Sequence, residues 1–232
     1  MRIVIVGGHG QIALRLAKLL SGRGDVVVGL IRNSDHGHDL TAAGATPLVC
    51  DLERASVDEV AAGLRGADAV VFAAGAGPGS GIARKDTVDR AAAILCAQAT
   101  QDAGVRRFLQ VSSMGVDRAP EQDGGDVFTA YLIAKRSAEE DLRGRELGWT
   151  IVRPGRLTDD PPAGRVTLTP PPVRRGAISR DDVAAVLAGL LGAPHTHRMT
   201  LELVNGDTPV PEAVAALARA TESPLHQSEG GR

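Results

Sequence analysis

The chain has 232 residues, enough for one large domain or two small ones, and we expect a single domain. Its formal net charge is -2 and its pI is near 6.3, so it lacks the general basic field that attracts nucleic acid or membrane phosphates. Its apolar runs are far shorter than the roughly 20 residues that cross a bilayer, and a strand-like run follows Met1 with no space for a signal peptide. We therefore expect a cytoplasmic protein with no nucleic-acid or membrane partner, as a monomer or homodimer.

The first two thirds of the chain alternate short apolar runs with longer helical patterns. Apolar strands separated by helices are typical of a parallel sheet that is covered by helices on both faces. The pattern predicts an α/β fold, a Rossmann-type doubly wound parallel sheet. The predicted strands are 2–7, 26–31, 46–50, 69–74, 107–112 and 150–154, and the predicted helices are 11–21, 56–64, 86–103 and 130–147.

The pattern changes after the sixth strand. Residues 155–177 are rich in proline, which central strands and helix interiors exclude, so we predict a loop. We expect residues 156–175 to form much of the rim of a substrate site. Ser179 is a good N-cap for the next helix. The remaining predictions are helix 179–191, strand 199–204 and helix 209–220, with 1–220 as one domain, 155–220 as its small C-terminal cap and 221–232 as a flexible tail.

A glycine-rich turn joins the first strand to the first helix. It reads Gly7-x-x-Gly10-x-x-Ala13, and a dinucleotide needs small residues there for the tight turn, for the approach of its pyrophosphate and for helix–sheet packing. The helix N-terminus then offers free N–H groups to the phosphates. The alternative is a turn that is glycine-rich only for packing.

The second strand ends in Arg32. A site for NAD usually has an acidic residue at this position for the ribose hydroxyls, whereas an arginine suits the 2′-phosphate of NADP. We therefore expect NADPH as the cofactor, with an exposed strand-end arginine as the alternative.

Tyr131 is the chain's only tyrosine, and Lys135 follows it four residues later in the run YLIAK. Residues at i and i+4 share one face of a helix, so the two side chains are neighbours. Such pairs are also common on solvent-exposed helix surfaces, and the tyrosine alone does not decide between a surface pair and a catalytic one.

Taken together and in order, these motifs resemble the short-chain dehydrogenase/reductase superfamily, in its atypical, small NAD(P)H-binding branch of epimerases and reductases. The resemblance covers almost the whole chain. The motifs that carry it are GGHGQIA after the first strand, Arg32, Asp51-Leu52, AAGAG (73–77), VSS (111–113), YLIAK and IVRPG (151–155).

The resemblance implies which residues bind the dinucleotide. The glycine-rich loop would hold the pyrophosphate, Arg32 the 2′-phosphate, Asp51 and Leu52 the adenine, and Pro154 would border the nicotinamide. The full predicted set is Gly7, Gly8, His9, Gly10, Gln11, Ile12, Arg32, Asp51, Leu52, Ala73, Ala74, Gly75, Tyr131, Lys135 and Pro154.

The resemblance also implies the chemistry. A free tyrosine, with a pKa of about 10, is a poor acid at neutral pH, so a nearby ammonium is needed to stabilise its phenolate. Tyr131 would be the catalytic acid/base, Lys135 its electrostatic support and a ligand of the nicotinamide ribose, and Ser113 would hold the substrate carbonyl, with Ser112 as the alternative.

The expected function is therefore NADPH-dependent hydride transfer to a small carbonyl compound. Only 78 residues (155–232) follow Pro154, whereas extended family members use a sizeable C-terminal domain to hold a nucleotide-sugar, so a large nucleotide-sugar substrate is not expected. Two alternatives remain: an NADPH sensor without turnover, and an epimerase or dehydratase that retains its dinucleotide.

Three other groups of residues carry no predicted chemistry. The pairs His36/His38 and His195/His197 lack further ligands at metal spacing, so no metal site is predicted. The run 139–141 (EED) is interpreted as a solvated helix face. Cys50 and Cys96 are predicted to be buried free thiols.

Overall fold

The computed structural model describes residues 1–77, 79–118 and 126–221. The strands within these ranges are β1 (Arg2–Val6), β2 (Val26–Ile31), β3 (Ala45–Val49), β4 (Ala69–Phe72), β5 (Arg107–Val111), β6 (Gly148–Pro154), β7 (Arg156–Thr158), β8 (Arg165–Thr169), β9 (Ala177–Ser179), β10 (Met199–Asn205) and β11 (Thr208–Pro209). The α-helices are α1 (Gln11–Gly22), α2 (Gly37–Ala42), α3 (Val57–Leu64), α4 (Ile82–Arg84), α5 (Ala92–Asp102), α6 (Val127–Arg143), α7 (Arg180–Leu191) and α8 (Val210–Thr221), and Lys85–Ala91 forms a π-helical segment between α4 and α5.

The described strands form a main sheet in the order β3-β2-β1-β4-β5-β6-β10-β8-β11. From β3 to β10 neighbouring strands are parallel, and β8 and β11 complete the edge in antiparallel pairs. The order reverses between β1 and β4, and ligands of doubly wound sheets bind where the order reverses. The predicted Rossmann-type fold is confirmed, and it brings the loops after β1 and β4 together.

The central strand β1 is buried on both faces of the sheet, which is why it is apolar after Arg2. In β1, Ile3 and Ile5 pack into the core beneath α1, α7 and α8, whereas Val4 and Val6 pack into the core beneath α3, α5 and α6. All four are fully buried. Alternate side chains of one strand therefore hold both helical layers.

The prediction that residues 155–177 form a loop is wrong in part. Strands β7 and β8 lie within this stretch, and β8 pairs with β10 and β11 in the main sheet. The prolines flank β8 instead of interrupting it, and its sequence RVTLT alternates: Val166 and Leu168 are buried while their neighbours are not. A short alternating strand between two proline clusters was overlooked.

The predicted helices are confirmed with shifted ends. The predicted helix 86–103 is a π-helical segment followed by α5, and α6 begins three residues earlier than predicted, with Asp126 as its N-cap. Ser179 caps α7 as predicted, because its Oγ accepts a hydrogen bond from the Asp182 N–H at 3.0 Å. The predicted tail lies outside the described residues except for Thr221, the last residue of α8.

Both cysteines are free thiols, Cys96 fully buried and Cys50 half-buried. Burial raises the pKa of Cys96 above that of an ordinary thiol. Among the described helices, none has both the length and the apolar content that a bilayer span requires.

Candidate functional site

The glycine-rich turn after β1 leaves no space for side chains. Gly7 has a φ of +78°, and a Cβ on it would lie 2.5 Å from the Cα of Ala74, in the loop after β4. A Cβ on Gly8 would lie 2.8 Å from the Cα of Gly29. Gly10 is the N-cap of α1, whose first turn has no side-chain cap and no acidic residue. The bare backbone and the open helix N-terminus fit the pyrophosphate of a dinucleotide.

A cavity of about 350 Å³ extends from this turn toward the ends of β2 and β3. Asp51 and Leu52 line it, as expected for the adenosine half of a dinucleotide. The predicted cofactor residues that line it are Gly7, His9, Gly10, Arg32, Asp51, Leu52, Ala73, Ala74 and Gly75. Of the rest, Ile12, Tyr131 and Lys135 line a second cavity, and Gly8, Gln11 and Pro154 line neither.

Arg32 shares this cavity with a charge cluster that sequence reasoning missed. Glu53 Oε2 accepts hydrogen bonds from Arg32 Nη1 at 2.8 Å and from Arg84 Nη2 at 3.0 Å, and its Oε1 accepts one from Thr87 Oγ1 at 2.7 Å. The Thr87 hydrogen bond and the two guanidinium groups hold the pKa of Glu53 below its usual value. Two arginines thus share one carboxylate, in a cavity that Asp51 also lines.

His9 forms the outer wall of the same cavity. Its ring stacks on His36 with centroids 3.7 Å apart, and its Nε2 lies 2.8 Å from Asp39 Oδ2. The hydrogen bond with His9 lowers the pKa of Asp39. Within the described ranges, no group of three or more His, Cys, Asp or Glu side chains could hold a metal ion.

The second cavity, of about 580 Å³, adjoins the first along Ala73, Ala74 and Gly75. Tyr131 and Lys135 both line it, so the structure brings the predicted acid/base pair to the end of the groove that a nicotinamide would reach. Its walls also include Ile12 from the first helix, Val111 and Ser112 from the end of β5, and Leu157 from the stretch predicted as the rim.

Lys135 is held from two sides. It is 4% exposed, and its Nζ donates a hydrogen bond to the Val111 carbonyl and lies 3.2 Å from Asp89 Oδ1. Asp89, 1% exposed on the π-helical segment, also accepts a hydrogen bond from the Ala76 N–H at 3.2 Å. The Lys135 Nζ is 5.8 Å from the centroid of the Tyr131 ring. Asp89 was missed because nothing in its local sequence marks it as buried.

The two candidate serines have different positions. Ser112 is 5% exposed and lines the cavity, whereas Ser113 is not among the lining residues and its Oγ donates to the Met114 carbonyl at 3.2 Å. The Ser112 Oγ donates to Glu139 Oε1 at 2.5 Å. Of the two serines, Ser112 is therefore the one that lines the cavity, and Ser113 is the more exposed.

The interpretation of residues 139–141 as a solvated helix face is wrong for Glu139, because its side chain is fully buried. Arg153 Nε and Nη2 donate to its two oxygens at 2.9 and 2.7 Å, and Arg143 Nη2 donates to Oε2 at 2.6 Å. Arg153 also binds Asp117 through both terminal nitrogens. Burial lowers the pKa of Arg153, but the hydrogen bonds to Glu139 and Asp117 outweigh it and raise the pKa overall.

A second lysine lies close to the Tyr131 ring in the same cavity. Lys85 begins the π-helical segment, is 8% exposed, and lies with its Nζ 5.4 Å from the centroid of the Tyr131 ring. Its Nζ donates to the Gly77 carbonyl at 3.0 Å. Composition could have pointed to it, since the chain has only three lysines and two of them line this cavity.

Comparison with known proteins agrees with this geometry. Residues 7–194 match a family model described as NAD(P)H-binding. YhfK of Bacillus subtilis (strain 168), named an uncharacterised sugar epimerase, is 34% identical over 218 residues, which cover 94% of this chain and 100% of that protein.

Two solved structures resemble the fold over nearly its full length. A candidate NAD-dependent epimerase/dehydratase from Bacillus halodurans has a TM-score of 0.84 and 36% identity, covering 93% of this chain and 99% of that chain. The oxidoreductase YlbE from Lactococcus lactis has a TM-score of 0.81 and 25% identity, covering 94% and 97%. The chain therefore belongs to the NAD(P)H-binding family and has the fold of an atypical short-chain dehydrogenase/reductase.

Proposed function

We propose that the protein is an NADPH-dependent oxidoreductase that reduces a small carbonyl compound, with Tyr131 as the proton donor. The observation that carries the proposal is the meeting of two cavities at Ala73–Gly75. One contains the glycine-rich turn and Arg32, and the other contains Tyr131 and Lys135. A dinucleotide in the first would extend its reactive end toward the second.

When bound, the dinucleotide supplies the hydride, and the side chains of this chain supply the proton and the charge. Tyr131 donates its hydroxyl proton to the substrate oxygen as negative charge develops there. The Lys135 ammonium stabilises the resulting phenolate. Asp89 holds this ammonium in place, and its negative charge offsets part of the positive charge of Lys135. Ser112, which lines the cavity, would orient the substrate carbonyl once its hydroxyl hydrogen turns from Glu139 toward the substrate oxygen.

The proposal predicts a preference for NADPH over NADH that depends on Arg32. A charge-assisted hydrogen bond contributes about 1.5–3 kcal/mol to binding. Because Arg32 is largely exposed, we expect the contribution of its bond to lie near the lower end of this range. Arg32→Ala should therefore weaken NADPH binding roughly tenfold and leave the affinity for NADH unchanged. Titration of both cofactors measures this. Arg54→Ala is the matched control, because Arg54 is exposed nearby and pairs only with Asp51 among the described residues. Equal wild-type affinities for NADPH and NADH would contradict the preference.

A direct test of the reaction follows NADPH absorbance across a panel of small aldehydes and ketones. Consumption of NADPH that depends on the carbonyl compound supports the reductase. A protein that binds NADPH tightly but consumes none with any member of the panel would contradict it.

The second candidate function is epimerisation or dehydration with a retained dinucleotide, which the names of the Bacillus relatives favour. Such enzymes regenerate their cofactor within each turnover and tend to keep it bound. We expect the protein to be purified largely free of dinucleotide if it is a reductase. Near-stoichiometric NAD(P) released on denaturation, measured by absorbance and chromatography, would favour the epimerase instead.

A further inference from the structure

We propose that Lys85 is the binding site for an anionic group of the substrate, so that the substrate is a carbonyl compound that carries a carboxylate or a similar anion. This inference rests on the proposed function for the carbonyl, but the anion site itself is argued from the cavity alone.

The first argument is the uncompensated charge of Lys85. Its ammonium is 8% exposed and donates one hydrogen bond, to the Gly77 carbonyl, and it forms no ion pair with any residue in the described ranges. The other two N–H groups of this ammonium have no hydrogen-bond acceptor among the described residues. Burying a lone ammonium is costly, so lysines are rarely buried without an anionic partner. A substrate anion would provide that partner.

The second argument is that the acidic groups of the cavity are already engaged. Asp89 pairs with Lys135 and accepts the Ala76 N–H. Asp126, the N-cap of α6, accepts hydrogen bonds from the first turn of that helix, including the Phe128 N–H at 3.1 Å. Neither carboxylate forms an ion pair with Lys85. Among the described residues that line the cavity, Lys85 therefore carries the positive charge that no carboxylate offsets.

The third argument comes from composition. The chain has 26 basic residues, of which only Lys18, Lys85 and Lys135 are lysines. Lys18 is exposed, and the Nζ atoms of Lys85 and Lys135 lie 5.4 and 5.8 Å from the ring centroid of the only tyrosine. A chain that uses arginine almost everywhere else has lysine at both of these positions. A lysine ammonium is a compact point charge with three donors, whereas a guanidinium is a larger planar fork.

The position of Lys85 also defines the shape of the ligand. Its Nζ is 5.4 Å from the Tyr131 ring centroid, so an anion bound to it lies a few bonds from a carbonyl that reaches the Tyr131 hydroxyl. The remaining wall is largely apolar and includes Val127, Phe128 and Leu157. Phe128 is 59% exposed at the rim. The cavity therefore suits an apolar body with one anionic end.

Binding to the NADP⁺-saturated protein tests the site without requiring turnover. Isothermal titration compares cyclohexanecarboxylate with cyclohexanecarboxamide, which have the same shape and differ in charge. The wild type is expected to bind the carboxylate roughly tenfold or more tightly. Lys85→Gln should abolish this preference, Lys85→Arg should restore part of it, and Lys18→Gln should leave it unchanged. The affinity for NADP⁺ should stay the same in all variants.

Three results would overturn the assignment. The first is that the wild type binds the two compounds equally, or binds neither measurably at millimolar concentration. The second is that a folded Lys85→Gln variant still prefers the carboxylate. The third is that this variant loses affinity for NADP⁺, which would make Lys85 a cofactor ligand. None of these depends on hydride transfer. Failure of the reductase proposal would appear separately, in the carbonyl panel.

Discussion

Replacing Tyr131 by phenylalanine is expected to slow the chemical step by about 10²–10⁴-fold, the usual contribution of a general acid. The substitution removes one hydroxyl from a partly buried ring and leaves its contacts with Phe128 and the two lysines in place. The fold and the NADPH affinity should therefore survive. Single-turnover oxidation of NADPH with a substrate from the carbonyl panel isolates the step, and cofactor titration verifies that binding is intact.

The effect of Tyr131→Phe is to be compared with that of Lys135→Met. The second variant should lower turnover and cofactor affinity together, because the ammonium is proposed to support the phenolate and to bind the nicotinamide ribose. The structure adds a third effect, a loss of stability, because the substitution leaves the buried Asp89 without its ion-pair partner. Lys18→Met, at an exposed position, is the control and should change nothing.

Retention of full activity in Tyr131→Phe would show that the tyrosine serves packing. The same pair of variants separates an enzyme from an NADPH sensor. A sensor requires the cofactor contacts of Lys135 but has no use for a phenolic proton, so its response to NADPH would survive in Tyr131→Phe and fail in Lys135→Met.

Replacing Glu139 by alanine is expected to destabilise the fold by about 3–5 kcal/mol, the usual effect of removing one partner of a buried ion pair. Arg153 is 2% exposed and would lose both oxygens that now accept hydrogen bonds from its Nε and Nη2. Urea unfolding followed by circular dichroism measures the change. Glu139→Gln should lose less, because an amide keeps the shape and one acceptor.

Glu140→Ala is the matched control for this experiment. Glu140 is the next residue of α6 but is exposed, so its removal should change the free energy of unfolding by no more than about 0.5 kcal/mol. If Glu139→Ala were as mild as Glu140→Ala, the network of Glu139, Arg153 and Asp117 would contribute nothing to stability. A second readout is turnover of Glu139→Gln, since Ser112 would lose its charged acceptor.

The sequence allowed the parallel sheet and the glycine-rich turn to be predicted because both depend on local patterns. Continuous apolar runs produce strands that are buried on both faces, as in β1, and small residues are needed wherever two backbones meet, as at Gly7 and Ala74. The shared cavity of Tyr131 and Lys135 followed from their helical spacing and from the motif order.

The residues that were missed depend on contacts between distant parts of the chain. The burial of Glu139 is explained by Arg153, which lies on β6, and three consecutive acidic residues do not reveal which one faces inward. Asp89 and Lys85 line the cavity because a π-helical turn presents them there, and no local pattern predicted that turn. Sequence periodicity reports the face of a helix, and ion-pair partners are set by tertiary packing.

The two outermost strands of the main sheet share a property that affects how this protein can associate. β3 contains Pro47 and β11 ends in Pro209, and β11 is only two residues long. Proline has no N–H to donate, and short, proline-bearing edge strands are a common protection against pairing with the strands of another molecule. Copies of this protein should therefore not associate by pairing a strand of one molecule with either edge of this sheet in another.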